Sequence, residues 1–294
     1  MKLPLVSIIT PSYNQGQFIE DTILSIKNQD YPNIEHIIVD GGSTDNTLDI
    51  IKKYEGTYNM RWISEPDNGQ ADAVNKGFKM AKGEIIGWLN SDDVYLWKKT
   101  LTKVVDAFLS NMVEIIYGHI LLIDANNNAL KVQSFPNFNL HRMLRGCYIG
   151  APAAFLRRKV IDQHTLDITL EYAMDYEFWL RLAIKGYKFL RINEILACDR
   201  VHIQRKIIKY KAETDKESTM VRRRYGQSFG LKYSIGRLVD KCNSGIRKCY
   251  ELASLLKLER ASQEDFAIPI KVNIDWTVIW NQIARKNRSL TLCK

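Results

Sequence analysis

Adjacent carboxylates at Asp92 and Asp93 close an apolar run, Ile85-Ile86-Gly87-Trp88-Leu89, by way of Asn90 and Ser91. Two negative charges at the carboxyl end of a buried strand are costly unless something cationic meets them. In an open α/β sheet, the crevice outside such strand ends is where ligands bind. The pair is therefore expected to hold a divalent metal, Mn2+ or Mg2+, and the metal to hold a diphosphate. Mg2+ is bound in this way, through one or two carboxylates plus substrate phosphates rather than a full protein cage. Two more polar loops follow apolar runs. Pro11-Ser12-Tyr13-Asn14 succeeds residues 5–10, and Asp40-Gly41-Gly42-Ser43-Thr44-Asp45 succeeds residues 35–39. An aromatic such as Tyr13 can stack on a base, and a carboxylate such as Asp40 can accept from a uracil-type N–H. One Asp-Gly-Gly is commonly just a turn. Three polar loops in register at one sheet edge make a pocket.

The elements that must carry these loops are legible from periodicity. Ile19, Ile23 and Ile26 recur at helical spacing, Glu35 to Val39 reads as the next strand, and Leu48 and Ile51 mark a second helix. Met60-Arg61-Trp62-Ile63 fits a third strand, and Ala71, Val74, Phe78 and Ala81 form a helical stripe that ends at Gly83. Strand alternating with helix across short polar connections predicts an α/β fold. Its sheet should be doubly wound, mixed but mostly parallel, and flanked by helices. After Asp93, the residues Leu101, Val104, Val105 and Phe108 mark a helix. Residues 114–122 and 129–135 around Asn126-Asn127-Asn128 read as a β-hairpin. Residues 175–183 are helical, with Trp179 and Leu182 facing inward and Gly186 past the end, and residues 187–197 return to strand.

Composition bounds the class. The chain has 294 residues, 46% hydrophobic and 26% charged. A chain of this size buries roughly 75% of its unfolded surface without disulfide staples. The five cysteines are odd in number and contain no Cys-x-x-Cys, which suits reduced thiols. No apolar run reaches the roughly 18 to 20 residues of a membrane span. Met1-Lys2-Leu3-Pro4 leads straight into a strand-like segment, so no signal peptide is expected and the location is expected to be cytoplasmic. The net charge of +9 is uneven: residues 1–202 hold 22 Lys+Arg against 24 Asp+Glu, and residues 203–294 hold 20 against 9. The basic character belongs to the tail.

Taken in order and spacing, Pro11-Ser12-Tyr13-Asn14, Val39-Asp40-Gly41-Gly42-Ser43-Thr44-Asp45 and Ala81-Lys82-Gly83-Glu84-Ile85-Ile86 resemble the family 2 glycosyltransferases of the GT-A fold. Asn90-Ser91-Asp92-Asp93 is similar to that family's acidic metal motif. The resemblance covers residues 4–204. It implies a nucleotide-diphosphate-sugar donor, a UDP-sugar foremost, a divalent cation, and inversion at the anomeric carbon. The sugar, a hexose, would pass to a hydroxyl of a saccharide or lipid-linked acceptor in cell-surface polysaccharide or glycolipid synthesis. The implied domains are a glycosyltransferase domain over 1–204 and a basic, mainly helical extension over 205–294. The first divides into a nucleotide-sugar-binding half, 1–110, and an acceptor and catalytic half, 111–204.

Carried over by residue, the resemblance assigns Tyr13 and Asp40 to the nucleobase, with Pro11, Asn14 and Gly41 in the same loops. Ser91 and Asp92 would meet the ribose or diphosphate, and Asp93 would be the direct metal ligand. The family's Asp-x-Asp form is altered to Asn90 at its first position, which leaves the metal to Asp93 with Asp92 in support. In Gly69-Gln70-Ala71-Asp72-Ala73-Val74-Asn75 the family lines its donor site, so Gln70 and Asp72 are candidates; Asp72 equally suits a helix N-terminus. Ala173-Met174-Asp175-Tyr176-Glu177-Phe178-Trp179-Leu180-Arg181 resembles the base motif and implies Asp175 as the general base. A helix N-cap is the plainer reading of Asp175, compatible with the first. Glu177 lies about 200° around a helix from Asp175, and Arg181 is expected to pair internally. In Asp199-Arg200-Val201-His202 the resemblance gives His202 to the metal or diphosphate, with Arg200 the weaker candidate.

The tail carries Leu238, Cys242, Ile246, Cys249, Ala253 and Leu256 at three- and four-residue steps, among Arg237, Lys241, Arg247 and Lys248. A basic amphipathic helix on an anionic membrane, at the inner face, is one reading. Packing on the catalytic domain or on a second subunit is the other. Asp275 to Trp280 is expected to dock. Two rival functions fare less well. A metal-dependent sugar nucleotidyltransferase would carry a glycine-rich, basic phosphate loop after the first strand, which Pro11-Ser12-Tyr13-Asn14-Gln15 is not. A non-enzymatic nucleic-acid binder leaves Asp92, Asp93 and Asp175 without a use, so no nucleic acid is expected as partner. No Gly-x-Gly-x-x-Gly follows any strand, which excludes a dinucleotide oxidoreductase.

Overall fold

Strands β1 (Val6–Ser12), β2 (Ile34–Asp40), β3 (Met60–Ser64) and β4 (Ile85–Trp88) lie parallel in the order β3-β2-β1-β4. They are joined through helices α1 (Ile19–Lys27), α2 (Thr47–Tyr54) and α3 (Gln70–Met80). The structure, a computed structural model, describes residues 3–226 and 250–273. Every residue of β1 is buried, as a parallel strand covered on both faces must be. The helices bury the stripes their spacing foretold: Ile19, Ile23 and Ile26 in α1, Ile51 in α2, Ala71, Val74 and Phe78 in α3. The pairing Ser12 with Asp40 and Ile9 with Trp88 brings three strand ends to one rim.

Beyond β4 the sheet turns mixed. β8 (Ala154–Arg157) runs antiparallel to β4 and to β6 (Ile115–Asp124), and β9 (Phe189–Val201) runs parallel to β6. The short β5 (Val94–Tyr95) pairs antiparallel with the far side of β9. β7 (Ala129–Gln133) completes the expected hairpin with β6. Its turn is closed by Asp124, which accepts from the N–H groups of Asn126 and Asn128 at 2.8 and 2.9 Å. Helix α4 (Thr100–Ser110) follows β5, and the short α5 (Leu140–Met143) and α6 (Arg158–Ile161) flank β8 in the chain. Helix α7 (Met174–Ile184) buries Trp179 and Leu182 completely and is stopped by Gly186 at φ +86°. Truncating a core tryptophan such as Trp179 to alanine costs about 3–5 kcal/mol.

Parts of the basic extension pack on this body. Helices α8 (Lys206–Lys209) and α9 (Lys211–Gly226) follow β9, and Val221 of α9 is fully buried in the main core. Residues 250–260 are helical, and the Tyr250 ring lies 4.4 Å from that of His119. Leu258, Phe266, Ile268 and Ile270 share a core cluster with Trp97, on which Phe266 stacks at 5.0 Å. The predicted stripe is corrected at its end: Ser254 and Leu258 face inward, while Ala253 and Leu256 are exposed. The contacts of Tyr250 and Leu258 fix the rotation of the helix, and the apolar spacing runs along another face. The rest of that stripe, Leu238 to Cys249, and the 275–280 segment lie outside the described residues. No helix among the described residues is long and apolar enough to cross a membrane.

Candidate active site

A cavity of about 690 Å³ opens where the ends of β1, β2 and β4 meet the end of β9 and the start of α7. Pro11, Tyr13, Gly41, Gln70, Ser91, Asp92, Asp93, Asp175 and His202 all line it. Asn14, Asp40 and Asp72 do not.

At the rim formed by the first two loops, Tyr13 is 60% exposed. Asn14 sits at φ 51°, a left-handed conformation that asparagine tolerates better than most residues. Its N–H donates to Ser43 Oγ at 2.8 Å, and its Oδ1 accepts from Thr44 N–H at 2.8 Å. It stitches the first loop to the second. Asp40 is wholly buried. Its carboxylate accepts from the N–H groups of Gly42 and Ser43 at 3.0 and 2.8 Å, from the Ser64 hydroxyl at 2.8 Å, and from the Ser43 hydroxyl. Asp40 does not line the cavity, and its carboxylate closes its own loop, whose N–H groups have no strand partner. Asp72 likewise turns away, accepting from Asn68 N–H at 3.1 Å and facing Lys76 at 3.7 Å. A Cβ at Gly41 would stand 2.6 Å from Oδ2 of Asp67, a residue that also lines the cavity and whose side-chain end could give way.

The acidic end is a connected network. Gln70 Nε2 and Trp88 Nε1 donate to Asn90 Oδ1 at 2.7 and 2.8 Å, and Asn90 Nδ2 donates to Asp93 Oδ2 at 3.0 Å. Asn90 thus supplies Asp93 with a donor where a third carboxylate would repel it. Asp93 Oδ1 accepts from Arg200 N–H at 3.2 Å. The β5–β9 register, Val94 opposite Cys198, sets Asp93 beside Asp199. Burial, then the charges of Asp199 and Asp92, hold the Asp93 carboxyl well above the usual range. Asp92 Oδ2 bonds His202 Nε2 at 3.0 Å, and the imidazole packs on Phe18 at 4.7 Å.

Arg200 is not a diphosphate ligand candidate in this structure. It is fully buried behind the site, donating to Asp92 O at 2.9 Å and to Asp21 Oδ2 at 2.9 Å, over the face of Phe18. A charge buried at that depth is spent on its partners.

Asp175 also lines the cavity, in the first turn of α7, past the N-cap position held by Ala173. Its Oδ1 accepts from Tyr176 N–H at 2.7 Å. Burial pushes its carboxyl up to about 6, against the moderating bond from Tyr176. Glu177 points elsewhere, into a pair with Arg181 at 2.8 Å, as expected from its angular offset.

Several lining residues escaped the sequence reading. Asp199 and Arg205 form an ion pair at 2.5 Å. Glu171 and Lys206 pair across the cavity mouth, and the rings of Tyr172 and Tyr210 lie 5.7 Å apart. Asp199 had a usable signal: like Asp92, it ends an apolar run, Ile195-Leu196-Ala197-Cys198. The others had none, because their relevance comes from a chain crossing that leaves no local pattern.

Among solved structures, the fold resembles the crystal structure of Staphylococcus aureus TarS 1–349 in complex with UDP-GlcNAc. The TM-score is 0.56 and the identity 22%, covering 67% of this chain and 59% of that one. It also resembles the mannosyltransferase PcManGT of Pyrobaculum calidifontis in complex with GDP-Man and Mn2+, with TM-score 0.61, 19% identity and coverage of 79% and 66%. These likenesses show a GT-A-type fold. In sequence, TuaG of Bacillus subtilis, a glycosyltransferase named for teichuronic acid biosynthesis, is 32% identical over 66% of this chain and 78% of its own length. The UDP-Glc:alpha-D-GlcNAc-diphosphoundecaprenol beta-1,3-glucosyltransferase WfgD of Escherichia coli is 28% identical over 69% and 79%. The profile named Glycosyl transferase family 2 matches residues 7–174, more than half of the chain and the whole rim. The chain belongs to glycosyl transferase family 2.

Proposed function

We propose that the protein is an inverting glycosyltransferase. It moves a sugar from a nucleotide-diphosphate sugar, a UDP-sugar foremost, to a hydroxyl of a saccharide or lipid-linked acceptor in cell-surface polysaccharide synthesis. The observation that carries this reading is that the acids Asp92 and Asp93 and the buried carboxyl of Asp175 line one cavity. WfgD, which by name uses UDP-Glc and a diphosphoundecaprenol-linked acceptor, supports the donor and acceptor classes. The positive excess over residues 203–294 suits the anionic inner face of a membrane, where a lipid-linked acceptor would be met.

A divalent cation fits the acidic end. Asp92, Asp93 and Asp199 set three carboxylates against Arg205 and an imidazole, an excess of buried negative charge. No three acids, histidines or cysteines among the described residues form a cage by themselves. Asp93, supported by Asp92, suits the mode in which substrate phosphates complete the coordination. His202 commits Nε2 to Asp92, so as a ligand it would bind through its other nitrogen or surrender that bond. The cation would supply Lewis-acid stabilisation of the leaving diphosphate.

Tyr13 and the loops locked by Asn14 and Asp40 orient the nucleotide. Asp175 takes the proton from the acceptor hydroxyl, whose oxygen attacks the anomeric carbon opposite the leaving group, so the configuration inverts. A carboxyl raised to about 6 is a better base than an ordinary one and still largely ionised at neutral pH. The test is transfer from UDP-glucose to a GlcNAc-diphospholipid with Mn2+, with the product anomer read by NMR. A β-linked product from the α-donor is expected. An α-linked product refutes inversion, and no turnover with UDP-, GDP- or dTDP-sugars refutes the enzyme reading.

A further inference from the structure

One carboxylate outside the family match reaches the loop that carries the base. Glu217 lies on α9, beyond residue 174, where the family profile ends. Its Oε1 accepts from Glu171 N–H at 3.0 Å, and its Oε2 accepts from Tyr172 and Ala173 N–H at 2.7 and 2.9 Å. Three consecutive backbone donors closed by one side chain fix the path of the chain into α7, two residues before Asp175. Bonds to an ionised acceptor are shorter and stronger than neutral ones.

The helix bearing Glu217 is itself pinned to the same region. Val221 is buried in the core, Arg224 donates to Asp167 at 3.0 Å, Arg222 donates to Arg145 O at 3.3 Å, and Tyr225 donates to Glu177. Glu171, Tyr172 and Asp175 all line the cavity, so the segment that Glu217 holds is the wall on the base side.

We infer that Glu217 is a positioning residue for the transfer reaction: from the C-terminal extension it sets where the Asp175 carboxylate stands relative to the bound sugar. This rests on the reading of Asp175 as the base. Glu217 touches no reacting atom. Its contribution is geometric, and a misplacement of about 1 Å at a reacting group can cost on the order of 10²-fold in rate. It also gives the extension a role in catalysis separate from any role at a membrane.

The experiment compares Glu217→Ala, Glu217→Gln, Asp175→Asn and the double variant Asp175→Asn/Glu217→Ala in the full chain. Three quantities are read: UDP affinity with Mn2+ by calorimetry, kcat and KM for UDP-glucose with a GlcNAc-diphospholipid, and hydrogen exchange at residues 171–177. Glu217→Ala should lower kcat by about 10- to 10²-fold, leave UDP affinity and donor KM within about twofold, and speed exchange at 171–173. Glu217→Gln, which keeps an oxygen acceptor, should fall between wild type and alanine. The double variant should be no slower than Asp175→Asn, because the base it would misplace is gone. Wild-type kcat in Glu217→Ala, UDP affinity falling in step with kcat, or losses that compound in the double variant would each overturn the proposal. Should Glu217→Ala fail to fold, Glu217→Gln is held to the same outcomes. Full turnover in Asp175→Asn sinks the base assignment instead; an inactive Asp175→Asn beside a fully active Glu217→Ala sinks this proposal alone.

Discussion

The loops at the rim of the cavity and the acids that line it are assembled by different rules. The rim is built from chain segments between Pro11 and Asp93, and the groups that shape it, Asn14, Asp40 and Asn90, bond to partners within about thirty residues. The acids that the proposed mechanism uses depend on distant chain as well. Asp93 is met by the backbone of Arg200, Asp92 by His202, and the segment before Asp175 by Glu217. A rim that closes on itself can be carried through a family as a local pattern. An acid whose charge must be held in the interior needs partners that only the finished fold delivers.

The contrast can be broken most sharply at Asp93. Asp93→Ala, or EDTA on the wild type, should abolish transfer and weaken UDP binding, while Tyr13 and its loop stay folded. Unchanged transfer in calorimetrically metal-free protein would remove the cation from the mechanism. Next in size, Asp175→Asn should cut kcat by roughly 10²–10⁴-fold, the usual contribution of a general base. Donor affinity measured by calorimetry should hold, and a parallel loss of affinity would mean that Asp175 is part of the donor site.

The pH profile separates the rim and the acids further. With Asp175 held near 6, kcat/KM should rise about tenfold per unit up to pH 6 and then level. A limb centred near the usual carboxylate value would contradict the burial argument. The same shift acts on folding with opposite sense. A carboxyl whose folded pKa exceeds its unfolded one favours the folded state below about pH 4 and loses that contribution as pH rises through about 6. Asp175→Asn should therefore fold at least as stably as wild type at pH 7, as thermal denaturation would report. The smallest effect belongs to the rim: Tyr13→Ala should raise donor KM by a stacking energy of about 1–3 kcal/mol with kcat unchanged. A drop in kcat instead would place that ring in the transition state.

Much of this was legible in the chain. Apolar runs and their polar terminators gave β1, β2 and β4 with their loops, and helical spacing gave α1, α3 and α7 with their inward faces. What the chain left open has one kind of reason. Asp40 and Asp72 have the residue type and position of ligands, yet each carboxylate turns to its own loop, where nearby N–H groups were available. Arg200 has the charge of a phosphate ligand and lies buried behind the acidic pair Asp92 and Asp93. A sequence states that a carboxylate is present at a strand end; it does not state which way it faces.

The amino-acid sequence by itself determined the alternation of elements, the rim on which three loops emerge, and the acids at 92, 93 and 175. Those follow from short-range periodicity and from the cost of ending an apolar run in charge. The tertiary structure decided that β5 pairs with β9, so that Asp199 crowds Asp93, and that α9 brings Glu217 to the foot of α7. Such meetings span tens to more than a hundred residues, and they are fixed by packing of the whole sheet rather than by any local preference.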